Sequence, residues 1–226
     1  MSNTFSVKEC IAFGWNRFKE RPGLFVAVTF VLVWLPAIIN NLVRAPQDAS
    51  SVVAALAGII GIVMTIVGIY ISMGLITFAL AVHENAHEAG WKDAWAPHPF
   101  WKFLLTEIML AIVVIIGFIL LIVPGIILSL GLSFVQYLVM DRGIGYLDAM
   151  KESWRITKGH KWQLLGLFIL LCLINILGFV CLIVGTLVTI PLTWFAMAHA
   201  YRVLEHQAHE IETVPAAAEP QAGAAA

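Results

Sequence analysis

Two long apolar stretches of this chain follow the same pattern, sixty-one positions apart. Matching positions carry the same residue types: Trp101 and Trp162, Gly117-Phe118 and Gly178-Phe179, Ile122-Val123 and Ile183-Val184, Phe134 and Phe195. Each stretch has one break near its middle, at Pro124-Gly125 in the first and at Gly185 in the second. A repeat of this length indicates one structural unit used more than once. The pattern predicts two membrane helices joined by a tight turn in each copy, with Pro124, Gly125 and Gly185 as turn residues and no helix at Val123.

Composition excludes a soluble globular protein. Hydrophobic residues make up 61% of the chain and charged residues 12%, too few to cover a water-exposed surface. The net charge of −1 gives no overall attraction for nucleic acid, so no nucleic-acid partner is expected. Cys10, Cys172 and Cys181 have neither disulfide nor metal-site spacing. We expect them to be small core residues of a reduced protein that needs no cofactor.

The apolar runs predict an all-α membrane protein with six transmembrane helices arranged as three hairpins. Runs of this length can cross a bilayer core about 30 Å thick. The expected spans are residues 24–43, 52–82, 103–122, 124–140, 163–184 and 186–201. They would form a membrane domain over 24–206, preceded by an amphipathic interfacial helix over 1–23. Residues 207–226 are too poor in large apolar side chains to order themselves, so a disordered tail is expected.

Basic residues divide very unequally between the two sides of this six-span arrangement. One side holds twelve of them: Lys8, Arg17, Lys19, Arg21, Lys92, Lys102, Arg142, Lys151, Arg155, Lys158, Lys161 and Arg202. The other side holds Arg44 alone. Because positive charge is retained in the cytoplasm, both termini are predicted to be cytoplasmic, in a bacterial inner-membrane protein.

The segment before each hairpin is predicted to be an amphipathic helix at the membrane interface. In the first, Cys10, Gly14 and Phe18 fall on one helical face. A similar face recurs in Leu147, Met150 and Trp154. The predicted interface residues are tryptophans and cations: Trp15, Arg17, Lys19, Trp101, Trp154, Arg155, Lys158 and Trp162. Such helices favour anionic lipid, although they can also serve only to anchor the protein at a fixed depth.

Several longer motifs resemble a known family. They are Ile122 to Ile127, Met140 to Gly159, Pro191 and Ala200-Tyr201. Together they resemble bacterial integral membrane proteins related to the membrane domain of glycerophosphoryl diester phosphodiesterases. That resemblance implies the six-span fold. In the family, this domain is sometimes fused to a soluble phosphodiesterase domain; only the tail follows it here, so that activity is not expected.

One short motif offers a different function. His83, Glu84 and His87 form H-E-x-x-H, which on a helix can place two imidazoles and a carboxylate at a zinc ion. Other possible ligands are predicted on the same side: His98, Asp141, His160, His206, His209 and Glu210. Against a catalytic zinc site, Glu88 puts a charge directly after the motif, and no third-ligand signature follows. Both residue types are also ordinary where a helix leaves the bilayer.

Polar and small residues within the spans favour packing over transport. Gln136 and Asn175 are expected to hydrogen-bond between helices, whereas Glu107 is expected to lie close enough to the interface to reach water. Glycines of the second span are expected to form close-packing faces: Gly58, Gly61, Gly68 and Gly74. We therefore expect a membrane protein without intrinsic catalysis, acting at the cytoplasmic leaflet in lipid handling or as a scaffold for another membrane protein. The alternatives are a small permease, which the repeats favour, and an intramembrane zinc peptidase.

Overall fold

A computed structural model describes residues 5–42, 50–85, 88–94 and 100–213, and over these ranges the protein is helical and contains no strand. The helices are α1 (Val7–Glu20), α2 (Pro22–Thr29), α3 (Leu35–Leu42), α4 (Ser51–Asn85), α5 (Trp91–Ala94), α6 (Phe100–Leu120), α7 (Ile122–Gly131), α8 (Val135–Arg142), α9 (Tyr146–Ile156), α10 (Lys161–Val180) and α11 (Leu182–Thr213). A π-helical turn, Phe30–Trp34, joins α2 to α3. The all-α class is confirmed.

Five helical segments are long and apolar enough to cross a membrane: Pro22–Asn41, Ser51–Asn85, Phe100–Leu120, Ile122–Arg142 and Lys161–Val180. They agree with the prediction of a membrane protein. The sixth expected span, 186–201, lies within α11, which continues well beyond it. The arrangement of six spans in three hairpins stays a prediction.

Helix α11 is the centre of the bundle, where it packs against α1, α2, α4, α9 and α10. Phe195 of α11 meets the edge of Phe25 from α2, with 4.8 Å between ring centroids. Phe25 in turn meets Phe78 of α4 at 6.0 Å, again edge to face. All three rings are fully buried. Such contacts contribute about 0.5–1.5 kcal/mol per pair beyond area burial, so they hold α2, α4 and α11 together.

Helix α4 is packed only along its second half. Val52, Ile59 and Ile62 are exposed, whereas Met73 and Val82 are fully buried. A Cβ atom added at any of three predicted packing glycines would touch nothing within 4 Å: Gly58, Gly61 and Gly68. The prediction that these glycines pack closely is therefore wrong within the described chain. The reason is that the first half of α4 is exposed at most of its described positions.

The chain reverses three residues before the first predicted turn and four residues before the second. Leu121, with extended backbone (φ −170°, ψ 151°), separates α6 from α7, and Cys181 separates α10 from α11. Pro124, Gly125 and Gly185 consequently lie in the first turn of the following helix, where a missing proline N–H costs nothing. Val123 is helical, contrary to expectation, because Leu121 takes the extended conformation instead.

Two further expectations need correction. Cys10 is buried, but Cys172 and Cys181 are exposed, so they are not core residues. They tolerate this position because a thiol is a small apolar group that suits an outward-facing apolar helix surface. Helix α11 continues to Thr213, so residues 207–213 are helical and not part of a disordered tail. Residues 214–226 lie outside the described ranges.

Candidate functional site at the polar end of the bundle

Charged side chains collect at one end of the bundle, which we call the polar end. Arg17 of α1 donates to the carbonyl oxygen of His83 near the end of α4, at 3.2 Å. Lys102 near the start of α6 donates to the carbonyl oxygen of Gly143 after α8, also at 3.2 Å. The polar end therefore comprises α1, α9, the starts of α6 and α10, the ends of α4 and α8, and the C-terminal part of α11. These are segments that the sequence analysis assigned to one side of the membrane.

An ion-pair network crosses the polar end. Arg202 of α11 binds both carboxylate oxygens of Asp141 at 2.9 Å and also pairs with Glu84 at 2.8 Å. Glu205 pairs with Arg202 at 3.2 Å and with Arg142 at 2.6 Å. These contacts connect α4, α8 and α11. Since each guanidinium fits its carboxylates geometrically, the network fixes how the three helix ends are placed.

Two histidines from distant parts of the sequence face each other beneath α1. The Nε2 atom of His83 lies 3.0 Å from the Nδ1 atom of His199. One ring must donate its N–H and the other must accept it. Phe13 of α1 stacks on His199, with 4.2 Å between centroids and 10° between planes, and lies 4.8 Å from the His83 ring. The three rings form one aromatic stack shared by α1, α4 and α11.

A cavity of about 560 Å³ opens beside this stack. Its lining combines apolar and polar side chains of three helices: Glu9, Ala12, Phe13, Asn16, His83, His199, Arg202, Val203, His206 and Gln207. The volume falls within the range of small-molecule sites, which are mostly apolar with a few convergent polar groups. Four of these residues belong to α1, so α1 forms one wall of the cavity.

Helix α1 packs directly against the helical bundle, which an interfacial helix held only by lipid would not do. Cys10, Gly14 and Phe18 are buried. A Cβ atom on Gly14 would lie 2.8 Å from the carbonyl oxygen of Leu192 in α11, so the two backbones are in direct contact. Burial, followed by the nearby Glu9, raises the pKa of the Cys10 thiol to about 12.

The predicted interface residues of α1 separate into two groups. Arg17 is occupied by the His83 carbonyl oxygen and by Glu20 at 3.0 Å, so it holds the helix in place. Trp15 is 45% exposed, and the Lys19 ammonium lies 5.8 Å from its ring centroid. Only Trp15 and Lys19 therefore remain on an open surface.

Helix α9 packs on the bundle through small side chains that its apolar pattern does not include. Leu147 is 56% exposed, whereas Ser153 and Thr157 are completely buried. The Ser153 and Thr157 hydroxyls donate to the carbonyl oxygen of Gly131 at 2.9 Å and 3.2 Å. Apolar periodicity missed this contact because its anchors are small hydroxyl side chains that satisfy a free backbone carbonyl. Trp154 covers Gly131 from the other side.

The remaining predicted interface residues lie on open surface. Trp101 and Trp162, at the starts of α6 and α10, are 78% and 85% exposed. Lys158 is exposed as well. Arg155 pairs with Glu152 at 2.7 Å, and this hydrogen bond lowers the pKa of the Glu152 carboxyl.

The H-E-x-x-H residues take other partners. His83 faces His199 and Glu84 pairs with Arg202, while His87 and His98 lie outside the described residues. Four other predicted ligands also have partners: Asp141 binds Arg202, His209 lies 2.6 Å from Arg142, and His206 lies 3.4 Å from Glu210. His160 caps α10, with its ring near Phe5. Within the described ranges, no three His, Cys, Asp or Glu side chains are grouped as metal ligands.

The expectation that polar residues within the spans bond between helices is confirmed. Gln136 of α8 donates to Glu107 of α6. Asn175 of α10 donates to Thr193 of α11 at 2.7 Å. Each bond joins polar side chains of two helices within the spans.

Comparison with known proteins gives a family but no activity. The chain is 26% identical to the uncharacterised protein Rv2560 of Mycobacterium tuberculosis (strain ATCC 25618 / H37Rv), across 90% of this chain and 70% of the relative. No solved structure matches it. None of these findings links it to the membrane domain of glycerophosphoryl diester phosphodiesterases. Residues 99–226 match the family described as a domain of unknown function, DUF7847. Because this match covers more than half of its length, the chain belongs to the DUF7847 family.

Proposed function

We propose that this protein is a bacterial inner-membrane protein without intrinsic catalysis that binds anionic lipid at the cytoplasmic leaflet. The polar end would face the cytoplasm. In this proposal the protein acts in lipid handling, or as a scaffold for another membrane protein that the bound lipid helps to position.

The observation that carries the proposal is the set of exposed tryptophans next to cations at the polar end. Trp101 and Trp162 project from helix starts, and Lys19 lies over Trp15. Tryptophan favours the headgroup level because one side of its ring system is apolar and its N–H is polar. Lysine beside it attracts negatively charged headgroups. Arg202 differs from Lys19 because its partners are the acidic side chains of the ion-pair network.

The repeated pattern supports a related inference, that the α6–α8 and α10–α11 regions are copies of one unit. Trp101 and Trp162 are both highly exposed, and Phe134 and Phe195 are both fully buried. If so, each copy begins with a tryptophan at the headgroup level. The resemblance to the membrane domain of glycerophosphoryl diester phosphodiesterases is compatible with this lipid-facing role.

The test is lipid retention by the full-length protein in mild detergent, measured by native mass spectrometry with acidic and neutral phospholipids of equal chain length. We expect preferential retention of the acidic lipid. Replacing Lys19 and Lys158 with Gln removes two surface cations worth about 1 kcal/mol each. That loss corresponds to roughly a thirtyfold weaker preference for acidic lipid.

The matched control replaces the same two lysines with Arg, which keeps the charge and should keep the preference. Equal retention of acidic and neutral lipid by the unmodified protein would contradict the proposal and leave the tryptophans as depth anchors. A second protein chain that co-purifies, with no lipid preference, would favour the scaffold function alone.

A further inference from the structure

Helix α1 is held by contacts that converge on two histidines. Phe13 stacks on His199 and lies against His83, and Arg17 donates to the backbone carbonyl oxygen of His83. Arg17 also lies over the Phe13 ring, with 5.1 Å from its guanidinium carbon to the ring centroid. A change in the position of either imidazole would therefore disturb its contact with Phe13, the ring on which Arg17 also lies.

The distance between the two imidazoles limits how many protons the pair can hold. At 3.0 Å, one N–H lies between Nε2 of His83 and Nδ1 of His199. Protonation of both rings would put two N–H groups on the same line, each pointing at the other. The pair can adopt that state only by separating, and separation takes His83 and His199 away from Phe13.

The surrounding charges oppose a second proton as well. The charged and titratable groups that face the pair are Glu9 and Arg17 from α1, and Arg202 and His206 from α11. Glu84, next to His83 on α4, is already paired with Arg202. Burial of both imidazoles disfavours a second charge most; the Arg17 and Arg202 guanidinium groups add to this for His83, whereas Glu9 favours charge on His199.

We propose that the His83–His199 pair is a proton-controlled latch for α1: protonation of both imidazoles releases α1 from α4 and α11 and opens the neighbouring cavity. Four residues of α1 line that cavity, so its release removes one wall. Proton uptake would thereby control access to the polar, histidine-lined space. This inference does not depend on which ligand or lipid the protein binds.

Cys10 provides the measurement, because its thiol is buried between α1 and the bundle and becomes reactive only when α1 leaves. With Cys172 and Cys181 replaced by Ser, Cys10 is the single thiol of the full-length protein. Its reaction rate with dithiodipyridine, a reagent that stays reactive in acid, is measured across pH. The reference is Lys8→Cys with all three native cysteines replaced, an exposed thiol on the same helix.

We expect the ratio of the Cys10 rate to the reference rate to rise on acidification well below the ordinary histidine pKa of about 6.5. Where the docked pair already holds one added proton and the released pair holds two, release takes up one extra proton and gives a slope of about tenfold per pH unit. His199→Phe keeps an aromatic ring in the stack but cannot be protonated, so it should flatten the profile. His83→Gln, which keeps a hydrogen-bonding side chain, should flatten it independently.

The matched control is His206→Gln, which removes a histidine that lines the same cavity outside the pair and should leave the slope unchanged. The proposal is overturned by a flat profile in the protein with both histidines. It is also overturned if the ratio of reaction rates rises equally in the His199→Phe and His83→Gln variants, because the protein would then loosen generally in acid. A pH response that only His206→Gln abolishes would overturn it as well. Lipid retention, measured separately, can fail without affecting any of these outcomes.

Discussion

The α6–α7 and α10–α11 helix pairs each bring a glycine close to the neighbouring helix near their turn. The two contacts differ in the group that the glycine meets. A Cβ atom on Gly117 would lie 2.6 Å from the end of the Leu128 side chain. In the second pair, a Cβ atom on Gly185 would meet the backbone carbonyl of Gly178. A side-chain end can rotate away, whereas a helix backbone cannot. These two glycines, which do not occupy matching positions of the repeat, should therefore differ in how well they tolerate substitution.

The two pairs also differ in how the second helix continues. After Gly131 the first pair is interrupted by a turn before α8, whereas α11 runs on through Pro191 without a break. The turn persists because Ser153 and Thr157 supply hydrogen bonds to the Gly131 carbonyl. Thus a helix break can depend on a neighbouring helix, and a proline is not enough to cause one.

The largest effect is expected at Gly185. Gly185→Ala forces the α10 and α11 backbones apart, and we expect it to lower the free energy of unfolding by about 3 kcal/mol, at the upper end for overpacked sites. Thermal unfolding in detergent measures this. The control is Gly166→Ala in α10, where an added Cβ meets nothing and alanine should be neutral or stabilising. Equal stability of both variants would mean that the backbone approach is not a constraint.

An intermediate effect is expected from Ser153→Ala. It removes the hydrogen bond to Gly131 and the bond that Ser153 accepts from the Phe134 backbone N–H. The Gly131 carbonyl keeps its bond from Thr157, but the buried Phe134 N–H loses its partner, which should cost about 1–3 kcal/mol in the same assay. Ser133→Ala is the matched control, since the Ser133 hydroxyl bonds only to Leu130 within one turn. If both serines cost the same, the α9 contact does not maintain the break.

The smallest effect is expected from Gly117→Ala. The nearest obstacle, the end of the Leu128 side chain, can move away, and the Gly125 Cα atom lies 3.2 Å from the added methyl carbon, so the loss of unfolding free energy should be about 1 kcal/mol. Adding Leu128→Ala to Gly117→Ala removes the nearest obstacle, and the two changes should therefore be non-additive in a double-mutant cycle. A loss as large as that of Gly185→Ala would show that the two glycine contacts are equivalent after all.

Much of the architecture could be predicted because helix formation and apolar length are local properties. Four of the predicted spans lie largely within single helices, and the interhelical bonds of Gln136 and Asn175 were expected from their depth. The buried face of α9 could not be predicted, because Ser153 and Thr157 are buried by hydrogen bonds to the Gly131 carbonyl oxygen of another helix. Likewise, the exposed glycines of α4 depend on where its neighbours end.

The sequence by itself determined that this chain is helical, that several helices can cross a membrane, and that its charges lie in particular segments. These follow from residue type and spacing within one helix. Only the tertiary structure decided that His83 faces His199, 116 positions away, and that Arg17 binds the end of α4. Spacing along one helix suggested His87 as the partner of His83. The structure pairs it with His199 instead, because contacts between helices depend on packing angles and register, which no local pattern specifies.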